Sequence, residues 1–313
     1  MVQTWQGTGS RAVRTYLDCI PCFLRQTLEV TRLVSGQDEV MAERALRRVL
    51  TATHSFRLDL PPPYMGRQIH RIIREVTGCK DPYADLKQKS TETALVLSKS
   101  VEQSIQDSSH PFRAAVRFSI AGNVMDYANA SGWDGDGIDR CIDDALSKPL
   151  DEDALNTLER DAGNAKDILF IADNAGETVF DRLLIQRLPQ NAVTYVVKGA
   201  PVINDATRED AEMAGIGEVA RIVDTGSDAP GTILDFCSTE FCEVFDEADL
   251  VIAKGQANLE TLFGCHREVF FLTQIKCPVI ARNVGGEVGE WRVEHWLPQV
   301  GTKSPKAAAE AEV

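Results

Sequence analysis

Apolar residues in the first part of the chain recur at three- and four-residue steps. Val13, Tyr16, Leu17, Ile20, Phe23, Leu24 and Leu28 follow this spacing, and Ala45, Leu46, Val49 and Leu50 repeat it. This is the period of one face of a helix. Pro61-Pro62-Pro63 interrupts the pattern, and Ile69, Ile72, Ile73 and Val76 resume it. Residues 84–106 predict a polar amphipathic helix, 112–128 a more apolar one, and 136–146 and 152–160 two short acidic helices. No run before residue 165 has strand character.

Past residue 165 the pattern becomes one of short apolar runs, over 168–172, 192–197, 221–223, 250–253, 269–272 and 278–281. Helical segments over 178–188, 207–214 and 233–248 separate several of them. Apolar strands alternating with helices predict a parallel sheet covered on both faces. The expected fold class is therefore α/β. An all-helical N-terminal domain, residues 12–164, is expected to pack on a C-terminal three-layer α/β domain, residues 165–302.

Charge narrows the partners. The 313 residues carry a net charge of -14, which repels nucleic-acid phosphates and anionic membranes, so neither is expected as a partner. An anionic substrate then needs a metal or a local Lys/Arg cluster to offset that field. No apolar run reaches membrane-spanning length, and residues 1–14 lack the apolar core of a signal peptide. Eight cysteines in a chain of this length do not make a disulfide scaffold. A cytoplasmic location with reduced cysteines is expected.

In an open parallel sheet, ligands bind beyond the carboxyl ends of the strands. The first strand run leads into Asp173-Asn174-Ala175-Gly176-Glu177, and the second into Lys198-Gly199 and Asn204-Asp205-Ala206-Thr207. The third leads into Asp224-Thr225-Gly226-Ser227-Asp228 and Gly231-Thr232, and the fourth into Lys254-Gly255-Gln256-Ala257-Asn258-Leu259-Glu260. Any one of these loops is explained by helix capping and turn chemistry. Four together exceed what turns require. Asp173, Asn174 and Asp205 offer hard oxygen donors that suit Mg²⁺ or Mn²⁺ rather than zinc. Lys198 and Lys254 add positive charge, and Gly226, Gly231 and Gly255 let backbone N–H groups approach an anion. Metal, lysine and exposed amides together form a phosphoryl clamp.

These residues belong to a wider resemblance. Asp18-Cys19-Ile20-Pro21-Cys22-Phe23, residues 81–87 and 119–126, Asp173-Asn174-Ala175-Gly176-Glu177, residues 201–205 and Lys254-Gly255-Gln256-Ala257-Asn258 resemble the metal-dependent damage-control phosphatases. The likeness extends from about Tyr16 to Gly301, and the Cys-x-x-Cys pair resembles the prokaryotic branch of that family. It implies a helical domain packed on a Rossmann-like one. It implies metal ligation by Asp173, Asn174 and Asp205, with Mn²⁺, Co²⁺, Ni²⁺ or Mg²⁺ as cofactor. The implied activity is hydrolysis of phosphate esters of small, damaged or surplus metabolites, such as sugar phosphates or nucleotides. The resemblance also places residues 119–126 at the cleft, which makes Asn123 and Asp126 candidate substrate contacts together with Gly226, Ser227, Gly255 and Asn258.

Two catalytic candidates follow. Lys254 is expected to stabilise developing phosphoryl charge. Glu177 either sits in the first turn of a helix, favoured by its dipole, or reaches a metal-bound water four residues after Asp173. Attack by water and attack by Asp173 both stay open, although the haloacid-dehalogenase pattern wants a second Asp where this chain has Ala175. Cys19 and Cys22 admit a redox pair, half of a zinc site, or simple packing. An S-adenosylmethionine-dependent methyltransferase is disfavoured because the loop after the first strand holds one glycine. A non-catalytic metabolite-binding protein would not need this many polar strand ends.

Overall fold

The computed structural model describes residues 13–128, 142–189 and 192–298, the side chains of 123–128 excepted. Three helices open the fold: α1 (Cys19–Ser35), α2 (Glu39–Thr53) and α3 (Pro62–Thr77). Their ends follow local chemistry. Asp38 caps α2 by accepting from the backbone N–H groups of Val40 and Met41 at 2.9 and 3.2 Å. Prolines occupy the first positions of α3, where no N–H is missed. The three helices close on a core of Phe23, Val30, Val49, Met65, Ile69 and Ile73. His70 is buried in α3, and its Nε2 accepts no hydrogen bond. Helices α4 (Ala84–Asp107), α5 (Pro111–Ala128) and α6 (Glu152–Asn164) follow, with a helical stretch at 142–147 between the last two. Residues 136–141 of the expected acidic helix lie outside the described residues.

The alternating part begins at β1 (Ile168–Ile171) and continues α7 (Thr178–Ile185), β2 (Val193–Val197), α8 (Arg208–Met213) and β3 (Arg221–Asp224). It ends α9 (Thr239–Glu247), β4 (Leu250–Lys254), α10 (Gly255–Leu262), β5 (Val269–Gln274), α11 (Pro278–Val284) and β6 (Trp291–Trp296). The six strands lie in the order β3-β2-β1-β4-β5-β6. Every pairing is parallel except that of β5 with β6.

Alternate strand residues feed two cores. Phe170, Tyr195, Ile252 and Phe270 face Leu97, Val101 and Ile105 of α4, Phe118 of α5, and Phe180 of α7. Leu169, Val196, Val251 and Phe271 face Phe241 and Phe245 of α9 and Leu259 and Leu262 of α10. The result is a three-layer α/β fold in which the helical N-terminal part supplies much of one outer layer. A second junction fixes α3 to the strand-end loops. Arg67, Arg71 and Arg74 all bond the Asp228 carboxylate, at 2.6–2.7 Å. Burial raises the Asp228 carboxyl, but hydrogen bonds from Arg71 and Arg67 outweigh it and hold it well below the usual carboxylate range.

One expected strand is a helix. Residues 278–281 form the first turn of α11, with Pro278 at its start and Gly285 in a left-handed conformation at its end. The sixth strand is instead β6, which pairs antiparallel along β5 from Val269↔Trp296 to Gln274↔Trp291. Among the described residues, no helix is long and apolar enough to cross a membrane.

Candidate active site

Strands β1 and β4 are neighbours, and the sheet is wound outward from them in opposite directions. Such a switch point opens a crevice at the carboxyl ends of the two strands. Asp173 lies just beyond β1, and Lys254 is the last residue of β4. Gly255 lets the two ends meet. Its φ is +78°, and a Cβ there would fall 2.0 Å from Asp173 Oδ2.

The loop after β2 returns to the same place. Ala206 N–H donates to the Asp173 carbonyl at 2.8 Å, and Ala175 N–H to the Asn204 carbonyl at 2.9 Å. Asn174 and Asp205 thereby form an isolated antiparallel bridge. The turn leading into it passes through Ile203 at φ +48°. A β-branched residue in that region is strained, and such strain concentrates at functional sites. The bridge brings together the three residues expected as metal ligands.

The electrostatics around them are those of a buried acid cluster. Asp173, Asn174, Glu177 and Asp205 are all buried. Burial raises the Asp205 carboxyl, Lys198 opposes the shift, and the Asp173 charge adds to it. Glu177 is raised in the same way, by burial first, against Lys254 and with Asp173. Glu260, the carboxylate of the segment that follows β4, is pushed up to about 7 by burial, eased by Gln256 and raised again by Asp173. Lys276 favours the charged form of both Asp205 and Glu260.

A cation would relieve this crowding, and the donors fit one. Asp205 Oδ2 is buried and accepts no hydrogen bond. Asn174 Nδ2 donates to Asp173 Oδ2 at 3.0 Å and to Glu177 Oε2 at 3.1 Å. Both carboxamide hydrogens are thus engaged, and the carbonyl oxygen is the atom that remains. Among the described residues, no three His, Cys, Asp or Glu side chains make a ready metal cluster. The donor set is two carboxylates and one carboxamide, which suits a hard divalent ion that keeps several waters.

Lys254 has a different environment from the one expected of a phosphate contact. Its Nζ donates to the Ser119 carbonyl at 2.9 Å, Glu177 Oε1 at 2.5 Å and Asp181 Oδ1 at 2.6 Å. Its burial is complete. Desolvation lowers its pKa, but Asp181 and Glu177 more than reverse this, so it stays charged. Asp181 also accepts from Ser119 Oγ at 2.7 Å and Tyr195 OH at 2.8 Å. A chain of contacts therefore runs from Asp181 through Lys254 and Glu177 to Asn174. The available signal for Asp181 was a lone acid within the apolar run 179–185.

The other expected contacts are dispersed in role. Asn258 donates to the Ala172 and Lys254 carbonyls at 2.9 and 2.7 Å and accepts from Thr232 Oγ1 at 2.8 Å, so its carboxamide ties strand ends together. Gly226 and Ser227 brace two loops. Gly199 N–H donates to the Ser227 carbonyl at 3.0 Å, and a Cβ on Gly199 would come within 2.7 Å of Gly226. The side chains of Asn123 and Asp126 lie outside the described residues. Cys19 packs between two hydrophobic cores, whereas Cys22 is exposed.

A cavity of about 500 Å³ opens beside Lys198. Thr207, Asp210 and Asp224 line it from the sheet side, and Asp81 and Lys87 from the start of α4. Lys87 Nζ is held between Asp81 Oδ2 at 2.8 Å and Asp210 Oδ2 at 2.9 Å. The helical part and the strand ends thus share this cavity.

Residues 15–291 match the damage-control phosphatase ARMT1-like domain. This chain belongs to the damage-control phosphatase family. It is 31% identical to a damage-control phosphatase of Archaeoglobus fulgidus, over 87% of this chain and 96% of that one. It is 36% identical to an uncharacterized protein of Methanocaldococcus jannaschii, over 89% of this chain and 94% of the relative. The crystal structure of a DUF89 family protein from Pyrococcus horikoshii superimposes with a TM-score of 0.82 at 29% identity, covering 90% of this chain and 99% of that one. In this family member, the mixed α/β fold agrees with that relationship.

Proposed function

We infer that this damage-control phosphatase family member is a divalent-metal-dependent phosphatase acting on monoesters of small metabolites. The observation that carries the reading is the Asn174↔Asp205 bridge, which gathers three oxygen donors at the end of β1. A divalent ion, when bound, supplies Lewis-acid polarisation of the phosphoryl group. Asp173, Asn174 and Asp205 hold it. Glu177 orients Asn174, and Lys254, clamped by Asp181, orients Glu177. Gly255 keeps the space that the Asp173 carboxylate occupies.

The cavity bears on the substrate. Among the described residues no aromatic side chain lines it, so these residues offer no stacking platform for a base. Its carboxylates, amines and hydroxyl suit a hydroxylated leaving group, which favours sugar phosphates over nucleotides. The Cys19/Cys22 pair supports placement in the prokaryotic branch. Free cysteines among the described residues and the acidic net charge support a cytoplasmic setting.

Phosphate release from a panel of sugar phosphates and nucleotides, with Mn²⁺ and then with excess chelator, tests the reading. Mn²⁺-dependent release, greatest with sugar phosphates, is expected. Release that persists in chelator removes the metal from the mechanism.

A further inference from the structure

Two lysines stand at the carboxyl ends of parallel strands, and each is followed by glycine. An ammonium carries three N–H donors. Those of Lys254 meet three acceptors within 2.9 Å, at Ser119, Glu177 and Asp181. Those of Lys198 do not. Its Nζ donates to the Gly231 carbonyl and lies 3.4 Å from Asp205 Oδ2. That oxygen accepts no hydrogen bond. Lys198 is nevertheless only 3% exposed, and it is one of the residues bordering the 500 Å³ cavity. A buried ammonium with unmatched donors costs free energy unless something binds there.

The surroundings hold Lys198 in place. Its backbone N–H donates to the Ala206 carbonyl at 2.9 Å, one residue from Asp205. Gly231 sits at φ +63°, where a Cβ would fall 2.3 Å from the Ala257 carbonyl oxygen, so its backbone is pressed against α10. The carbonyl that anchors Lys198 therefore belongs to a tightly packed turn. A charge fixed in advance in a dry site is what anion stabilisation requires.

We propose that Lys198, rather than Lys254, is the cation that contacts the substrate: its ammonium binds an oxygen of the phosphoryl group, and the leaving group occupies the adjacent cavity. Lys254 is then a positioning residue acting through Glu177. Lys87, pinned by Asp81 and Asp210, and Thr207 form the walls that meet the leaving group. This assignment rests on the phosphatase reading for its substrate, but its anion contact is measurable without turnover.

The test is calorimetric titration of inorganic phosphate into the full-length Mn²⁺-loaded protein, for wild type, Lys198→Met and Lys198→Gln. Mn²⁺ affinity is measured in parallel, and circular dichroism checks the fold. Lys198→Gln keeps a donor for the Gly231 carbonyl and decides the matter where Lys198→Met does not fold. The expected result is phosphate affinity lowered roughly tenfold to a hundredfold, the scale of one lost charge-assisted hydrogen bond, with Mn²⁺ affinity retained. Phosphate affinity in Lys198→Gln within about twofold of wild type overturns the assignment. So does a wild-type protein that binds Mn²⁺ but no phosphate. A wild type that binds phosphate through Lys198 but hydrolyses no ester removes the phosphatase reading and leaves the anion contact standing.

Discussion

A Cβ on Gly255 would stand 2.0 Å from Oδ2 of Asp173. The first residue of α10 therefore sets where the carboxylate beyond β1 lies. Gly255→Ala must displace that carboxylate and also places a side chain at φ +78°, which costs about 1–2 kcal/mol on its own. The expected outcome is a folded protein whose Mn²⁺ affinity falls by at least ~10-fold, on the scale of disturbing a ligand's support. Calorimetric metal titration measures it. Wild-type affinity in Gly255→Ala would show that Asp173 is not a ligand in this position.

Lys254 is charged, fully buried and bonded to two carboxylates. Lys254→Met leaves Glu177 and Asp181 without their cation. Removing one partner of a buried ion pair costs about 3–5 kcal/mol, so a large loss of stability is expected in urea unfolding. Asp181→Asn should cost less, because the Ser119 and Tyr195 hydroxyls retain a partner. Equal stability of wild type and Lys254→Met would contradict the cluster.

His70 gives the protein a pH signature far from the site. Burial, with help from Arg74, pushes its pKa down to about 3. The unfolded chain takes up a proton near the ordinary value of about 6.5 while the folded chain does not. Stability is therefore unaffected above that value and falls as the pH drops below it. At pH 5 the loss is about 2 kcal/mol, from 1.36 kcal/mol per unit over about 1.5 units. His70→Leu should flatten this limb in urea unfolding at pH 7 and pH 5. An unchanged acid slope in the variant would contradict the assignment.

Much of this fold was legible because parallel strands buried on both faces read as unbroken apolar runs, as in β1 and β4. Strand β6 was not, because an antiparallel edge strand interleaves Arg292 and Glu294 with Trp291 and Val293. The run 278–281 imitates a strand in composition, and only Pro278 at its start and Gly285 beyond it mark a short helix. At the site, Asp173, Asn174 and Asp205 were visible from their place after apolar runs. The difference between Lys198 and Lys254 was not, since both follow an apolar run and precede a glycine. It depends on Asp181 and Ser119, which approach Lys254 from α7 and α5. Asn258 likewise shows its bracing role only once the Ala172 and Lys254 carbonyls are seen beside it.

Phosphate release by Asp205→Asn, compared with wild type at saturating Mn²⁺, tests the central claim most directly. The substitution keeps the shape and the backbone bridge to Asn174, and it removes the charge of a buried carboxylate whose Oδ2 lies 3.4 Å from Lys198 Nζ. The expected result is a loss of at least ~100-fold in kcat/KM, the scale of removing one preorganised electrostatic contact, with the circular dichroism spectrum unchanged. Turnover by the variant within about twofold of wild type would contradict a metal-dependent phosphatase site at Asp173, Asn174 and Asp205.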